Sequence, residues 1–177
     1  RSHFAMARTG LSDAQGRPTG ATFAFLSTIL KLVDSEQPDH LAVAFDPPGP
    51  TFRHERFEAY KATREKMPDE LIEQLPRMRE CVEALGIPIL ELPGFEADDA
   101  IGTMAKQAEA AGYEVYLVTG DKDFMQLVSE HVKLYNILKA DKDLEIVGPE
   151  QVALKFGVGP AQGIEVLALM GAAAENV

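Results

Sequence analysis

Three short apolar runs, each followed by acids, constrain this chain more than any other feature. LAVAF (41–45) stops at Asp46-Pro47-Pro48. IPILEL (87–92) crosses a Pro-Gly turn into GFEADDAIGT, which holds Glu96, Asp98 and Asp99. EVYLVT (114–119) runs into Asp121 and Asp123. Short apolar runs bounded by turn formers read as buried strands. Between them, residues 20–33, 69–85 and 96–111 repeat apolar types at helical spacing. Gly86 and Gly112 stop two of these helices, and Pro76 should kink or break the middle one. A short helix at 122–128 and the strand VKLYN (132–136) follow. The hairpin-like KADKDLEIV then leads to helices at Pro149–Phe156 and Pro160–Met170. Strands alternating with helices predict an α/β fold with a mostly parallel central sheet and helices on both faces.

That pattern fixes where the acids lie. In an open α/β sheet, ligands bind beyond the carboxyl ends of the strands. Three strand ends would deliver six carboxylates there: Asp46, Glu96, Asp98, Asp99, Asp121 and Asp123. A single acid at a helix start is an ordinary N-cap. Six together repel unless a cation neutralises them. Hard divalent ions suit oxygen ligands, and the natural candidates are a pair of Mg²⁺ or Mn²⁺ ions about 4 Å apart, the geometry used on phosphodiesters.

Composition sets the remaining bounds. The chain has 177 residues, 46% hydrophobic and 25% charged, enough for one globular domain with a real core. No run reaches membrane-spanning length, and no membrane partner is expected. The lone Cys81 excludes an internal disulfide framework and fits a reducing, cytoplasmic setting. Cys81, Phe23, Phe25 and Leu26 read as core. Net charge is −11, which argues against a general nucleic-acid binder. The charge is uneven, however. Residues 1–33 carry +3, and TFRHERFEAYKATREK (51–66) carries five basic against three acidic residues. In this second segment Arg53, Lys61, Arg64 and Lys66 alternate with Phe52, Phe57 and Tyr60, cations for phosphates and rings for bases. If the stretch is helical, Lys61 and Arg64 share a face. By composition alone a solvated surface helix would explain it; proximity to the acids favours nucleic acid.

AFDPPGPTFRHERFEAYKATR, LPGFEADDAIGTMA and VYLVTGDKDFMQLV, in this order, resemble the 5′-nuclease domain of bacterial DNA polymerase I, in the flap endonuclease superfamily. The resemblance implies a PIN-like core with a basic helical arch, acting on a DNA 5′ end or 5′ flap in replication and repair. It implies two divalent ions. Glu96, Asp98 and Asp99 would surround the first, and Asp46, Asp121 and Asp123 complete the cluster. Lys61 and Arg64 match residues that contact the scissile phosphate. Arg1, Arg53 and Tyr60 match substrate-facing positions. A polymerase domain in the same polypeptide is the expected partner.

Two departures qualify this. The family opens with a strand bearing a metal-binding Asp before the segment that starts here at Arg1. It also shows a Gly-Asp-x-x-Asp-Asn motif before a helix–hairpin–helix. Here that motif reads Gly171-Ala172-Ala173-Ala174-Glu175-Asn176. Ala172 cannot ligate, and Glu175 is one methylene longer. Residues 1–177 are thus expected to be one nuclease domain lacking its first strand and its helix–hairpin–helix, with a weakened second metal site and impaired chemistry. The rival reading is a structure-specific DNA-binding module without turnover. An aspartate-nucleophile phosphatase, read from Asp121 and Asp123, leaves EADD unexplained. His3, His40, His54 and His131 are too dispersed for a zinc site; His54 should pack or meet phosphate.

Overall fold

The computed structural model describes residues 10–63, 66–136 and 145–170. Arg1, Arg64, Ala172 and Glu175 lie outside the described residues. In chain order the elements are α1 (Gly20–Glu36), β1 (Val43–Ala44), α2 (Phe52–Arg56), α3 (Asp69–Ile72), α4 (Leu75–Ala84), β2 (Ile89–Leu90), α5 (Ala97–Ala110), β3 (Val115–Val118), a 3-10 helix (Lys122–Leu127), β4 (Val132–Asn136), β5 (Glu145–Val147), α6 (Pro149–Phe156) and α7 (Pro160–Met170). They pack as two compact units. The first runs to Phe45 and resumes through Leu90; the second starts at Asp46 and resumes at Glu91.

In the first unit α1 packs on α4. Ala21 and Ile29 of α1 and Met78 and Val82 of α4 are buried. At 100° per residue, Phe23 falls about 200° from Ala21. It therefore faces away and is 59% exposed, which corrects the expectation that it is core. Phe25, Leu26 and Cys81 are half-buried. The expected proline break is real: α3 ends before Leu75, and Pro76 opens α4, where its missing N–H costs nothing. Gln74 fills the gap, only 3% exposed. Its Oε1 accepts from the Thr22 amide at 3.1 Å, and its Nε2 donates to the Glu70 carbonyl at 2.7 Å. Gly86 stops α4 with φ 69°, a conformation that favours glycine. β1 and β2 then pair in parallel, Val43 with Ile89 and Ala44 with Leu90. The two apolar runs thus yield only two-residue strands, because Pro47 and Pro88 at their ends cannot donate to a ladder.

The second unit is built on β3, β4 and β5. β3 pairs with β4 in parallel, and β4 with β5 antiparallel. The antiparallel step fits the hairpin reading, although its connecting residues 137–144 lie outside the described ones. Leu117, Val132, Leu134, Val147 and Val152 form the core with Phe124 of the 3-10 helix. Hydrogen bonding thus makes a parallel pair in one unit and a mixed three-stranded sheet in the other. The α/β class is as expected, with smaller sheets. Among the described residues no single helix is long and apolar enough to cross a membrane.

The basic segment is helical only over α2. Phe57 turns to extended backbone (φ −144°, ψ 98°), and residues 58–63 form turns up to the edge of the described chain. A helix carrying Lys61 is therefore not seen.

Candidate metal and nucleic-acid site

The second unit contains every described candidate residue. The first turn of α5 organises them. Its first four N–H groups have no partner inside the helix, and acids are drawn to them. Asp46 reaches over from the end of the first apolar run; its Oδ1 accepts from the Ala97 amide at 2.7 Å. Asp99 turns back, and its Oδ2 accepts from the Glu96 amide at 2.9 Å. Asp121 caps the 3-10 helix by accepting from the Asp123 amide at 3.0 Å. Cap chemistry is therefore present at three of the six acids.

The cations come from the basic segment. Arg53 makes a two-point bond to Asp99, Nη1 to Oδ2 and Nη2 to Oδ1, both 2.7 Å. Its Nη1 also lies 3.7 Å from Glu96. Lys61 Nζ donates to Glu96 Oε1 at 2.8 Å, and the Tyr60 hydroxyl donates to Oε2 at 3.2 Å. Tyr60 is only 7% exposed. Its ring meets the His54 ring edge-on, 5.2 Å between centroids. His54 in turn accepts from the Thr51 amide through Nδ1 at 3.1 Å. Of the two expected roles, packing or meeting phosphate, the structure shows His54 packing against Tyr60.

The electrostatics divide the acids into two kinds. Hydrogen bonding to Arg53 holds the Asp99 carboxyl below its ordinary range, and Asp99 keeps Arg53 firmly charged. Asp98 behaves in the opposite way. Burial, then the like charges of Asp121, Asp46 and Glu96, push its carboxyl up to about 6, with Lys61 offsetting only part. Among the described residues no donor hydrogen-bonds that carboxyl. Glu96, Asp98, Asp99 and Asp123 border a cavity of about 660 Å³ together with Arg53 and Tyr60.

Convergence has a limit. Among the described residues no three His, Cys, Asp or Glu groups stand close enough to share one ion. The donor set nonetheless fits a hard divalent cation. Asp98 is an oxygen donor whose ionisation is made costlier by partial desolvation and the charges of Asp121, Asp46 and Glu96, and a cation would relieve this. Asp99 fits poorly, because Arg53 and the Glu96 amide already engage it.

The cavity also continues where the motifs gave no cue. It extends along α5 past Gly102, Thr103 and Lys106 to Gln126 and Leu127. One signal was available: a glycine inside a helix is unfavourable by about 1 kcal/mol relative to alanine and calls for a reason.

Residues 1–157 match the family described as the 5′-3′ exonuclease, N-terminal resolvase-like domain. The chain belongs to the 5′-3′ exonuclease family. It is 42% identical over its full length to DNA polymerase I of Deinococcus radiodurans, of which it spans 18%, and 41% identical to a 5′-3′ exonuclease of Aquifex aeolicus, of which it spans 59%. The chain thus spans only a small part of the polymerase relatives it matches. Among solved structures, the T5 D15 protein co-crystallised with metal ions superposes with a TM-score of 0.72 at 23% identity, covering 88% of this chain and 61% of that one. A T5 D15 flap endonuclease complex with DNA and metal ions gives a TM-score of 0.68 at 20% identity, with 88% and 60% covered. These likenesses place the chain in that fold.

Proposed function

We propose that the chain is the nuclease module of a divalent-metal-dependent enzyme that hydrolyses DNA phosphodiesters at 5′ ends and 5′ flaps. The observation that carries this is Asp98: a carboxyl crowded by the charges of Asp121, Asp46 and Glu96, on the border of a cavity that Arg53 and Tyr60 also line. Such crowding is costly for a merely structural purpose, and it is the environment that attracts a hard cation. The family membership and the metal-bound structural neighbours support the same reading.

Asp98 would hold Mg²⁺ or Mn²⁺, with Asp46, Asp121, Glu96 and Asp123 serving the ion through its bound water. When bound, the metal supplies a nucleophilic water and neutralises charge on the phosphate. The rest falls to this chain's residues. Lys61 lies at the acid cluster and, with Arg64, would offset the negative charge of the transition state. Tyr60 and His54 hold Glu96 and the turn before Lys61. A second ion would draw on Asp123 and Glu175. The module would serve beside a polymerase, as in DNA polymerase I relatives, in the cytoplasm where its DNA is.

A flap-cleavage assay of the full-length protein in Mg²⁺ or Mn²⁺ tests this. Cleavage abolished by chelator and reduced by about 10³ or more in Asp98→Asn is the expected result, since lost metal stabilisation of charge is worth several kcal/mol. Tight flap binding without cleavage in either metal would instead establish the DNA-binding module, the reading that Ala172 favours.

A further inference from the structure

We propose that Asp99 is a positioning residue rather than a metal ligand, and that with Arg53 it clamps the basic segment onto the acid cluster. The inference rests on the nuclease reading above. A carboxylate offers about four acceptor positions. On Asp99 three are filled: two by the Arg53 fork at 2.7 Å each, and one by the Glu96 amide at 2.9 Å. A metal ion would have to displace bonds that are strong because they are charged and two-pronged. Asp98 has no such partner, although it is the next residue. Successive helix residues point about 100° apart, so Asp98 is turned to where the charges of Asp121 and Asp46 act on it while Asp99 meets Arg53.

The clamp has further parts. The Arg53 guanidinium carbon lies 4.6 Å from the centre of the Phe52 ring, which packs on Phe95 at 5.5 Å. The Phe52 amide donates to the Gly94 carbonyl at 2.9 Å. Gly94 has φ 83°, which suits glycine and turns the chain into α5. These contacts fix α2 against the start of α5. They thereby set where Tyr60 and Lys61 reach Glu96. Asp99 acts on substrate only through them.

The test begins with calorimetric titration of the full-length protein with MnCl₂ alone. Asp98→Asn should weaken Mn²⁺ binding at least tenfold, and Asp99→Asn less than threefold. In flap cleavage, Asp99→Asn and Arg53→Met should each raise KM about tenfold before kcat falls, with Arg53→Lys between them and wild type. Asp99→Asn weakening Mn²⁺ binding as much as Asp98→Asn overturns the proposal. Should Asp99→Asn not fold, Arg53→Met carries the test: a KM left at the wild-type value overturns it. A wild-type protein that takes up no Mn²⁺ sinks the nuclease reading instead. The clamp is then judged by melting: Asp99→Asn, Arg53→Met and the double variant should lower Tm by the same amount, and additive losses overturn it.

Discussion

Lys61 reaches Glu96 from an unfavourable backbone: its φ is 55°, while its Nζ stands 2.8 Å from Glu96 Oε1. A non-glycine residue in the left-handed region is disfavoured by about 1 kcal/mol. The ion pair, with side chains 20% and 12% exposed, returns a similar amount. Lys61→Gly removes both. Stability should therefore change by less than about 1 kcal/mol in urea unfolding, while flap cleavage falls by about 10² as the cation is lost. A stability loss several times larger would show that Lys61 is structural.

Metal addition should stabilise the fold through the acids. Binding to the native state alone contributes about 2.7 kcal/mol at one hundred times Kd. Thermal melts in Mg²⁺ or Mn²⁺ should rise above those in chelator. Asp98→Asn should melt higher than wild type in chelator, because a crowded charge has been removed, and should lose most of the metal-induced rise. Equal rises in both proteins would move the ion elsewhere.

The starts of β3 and β4 predict a pH dependence. His131 Nδ1 contacts a Glu114 carboxylate oxygen, and Lys133 Nζ donates to the other at 3.2 Å. Hydrogen bonding to Glu114 raises the His131 pKa above its ordinary 6.5, and the bond to His131 lowers that of Glu114 below 4.5. A raised histidine stabilises fully below 6.5 and loses its effect as pH rises through its folded value. A lowered glutamate stabilises above 4.5 and loses its effect as pH falls through its folded value. The pair therefore supports the fold most between about pH 4.5 and 6.5. NMR titration of His131 should move down on Glu114→Gln, with a small loss of Tm in that window. An unmoved titration would exclude the contact.

Gly102 allows a stabilising change. A Cβ there would meet Leu127 Cδ1 at 3.5 Å, an ordinary contact. Gly102→Ala should raise stability by about 0.5–1 kcal/mol in urea unfolding, through helix propensity. Gly102→Leu should instead obstruct the cavity and slow flap cleavage. A destabilising alanine would mean that α5 needs close approach at this point.

Much of the candidate site was legible in the chain. Glu96, Asp98 and Asp99 had to crowd the start of a helix, because three carboxylates within four residues before an apolar period leave little choice. The Pro76 break and the Gly86 stop were equally local. The short strands were less legible, since apolar runs do not reveal which backbone groups will find partners. The left-handed turn at Lys61 left no cue, because lysine has no preference for it.

The sequence by itself determined the alternation of strand and helix, the acids that follow the apolar runs, and a basic segment between them. These are consequences of spacing along the chain. Only the tertiary structure decided that Arg53 takes Asp99, 46 residues away, and that Asp98 is left crowded against Asp46 and Asp121. Which charge meets which depends on distances of a few ångströms between segments far apart in the chain, and Coulomb energies change steeply at that range.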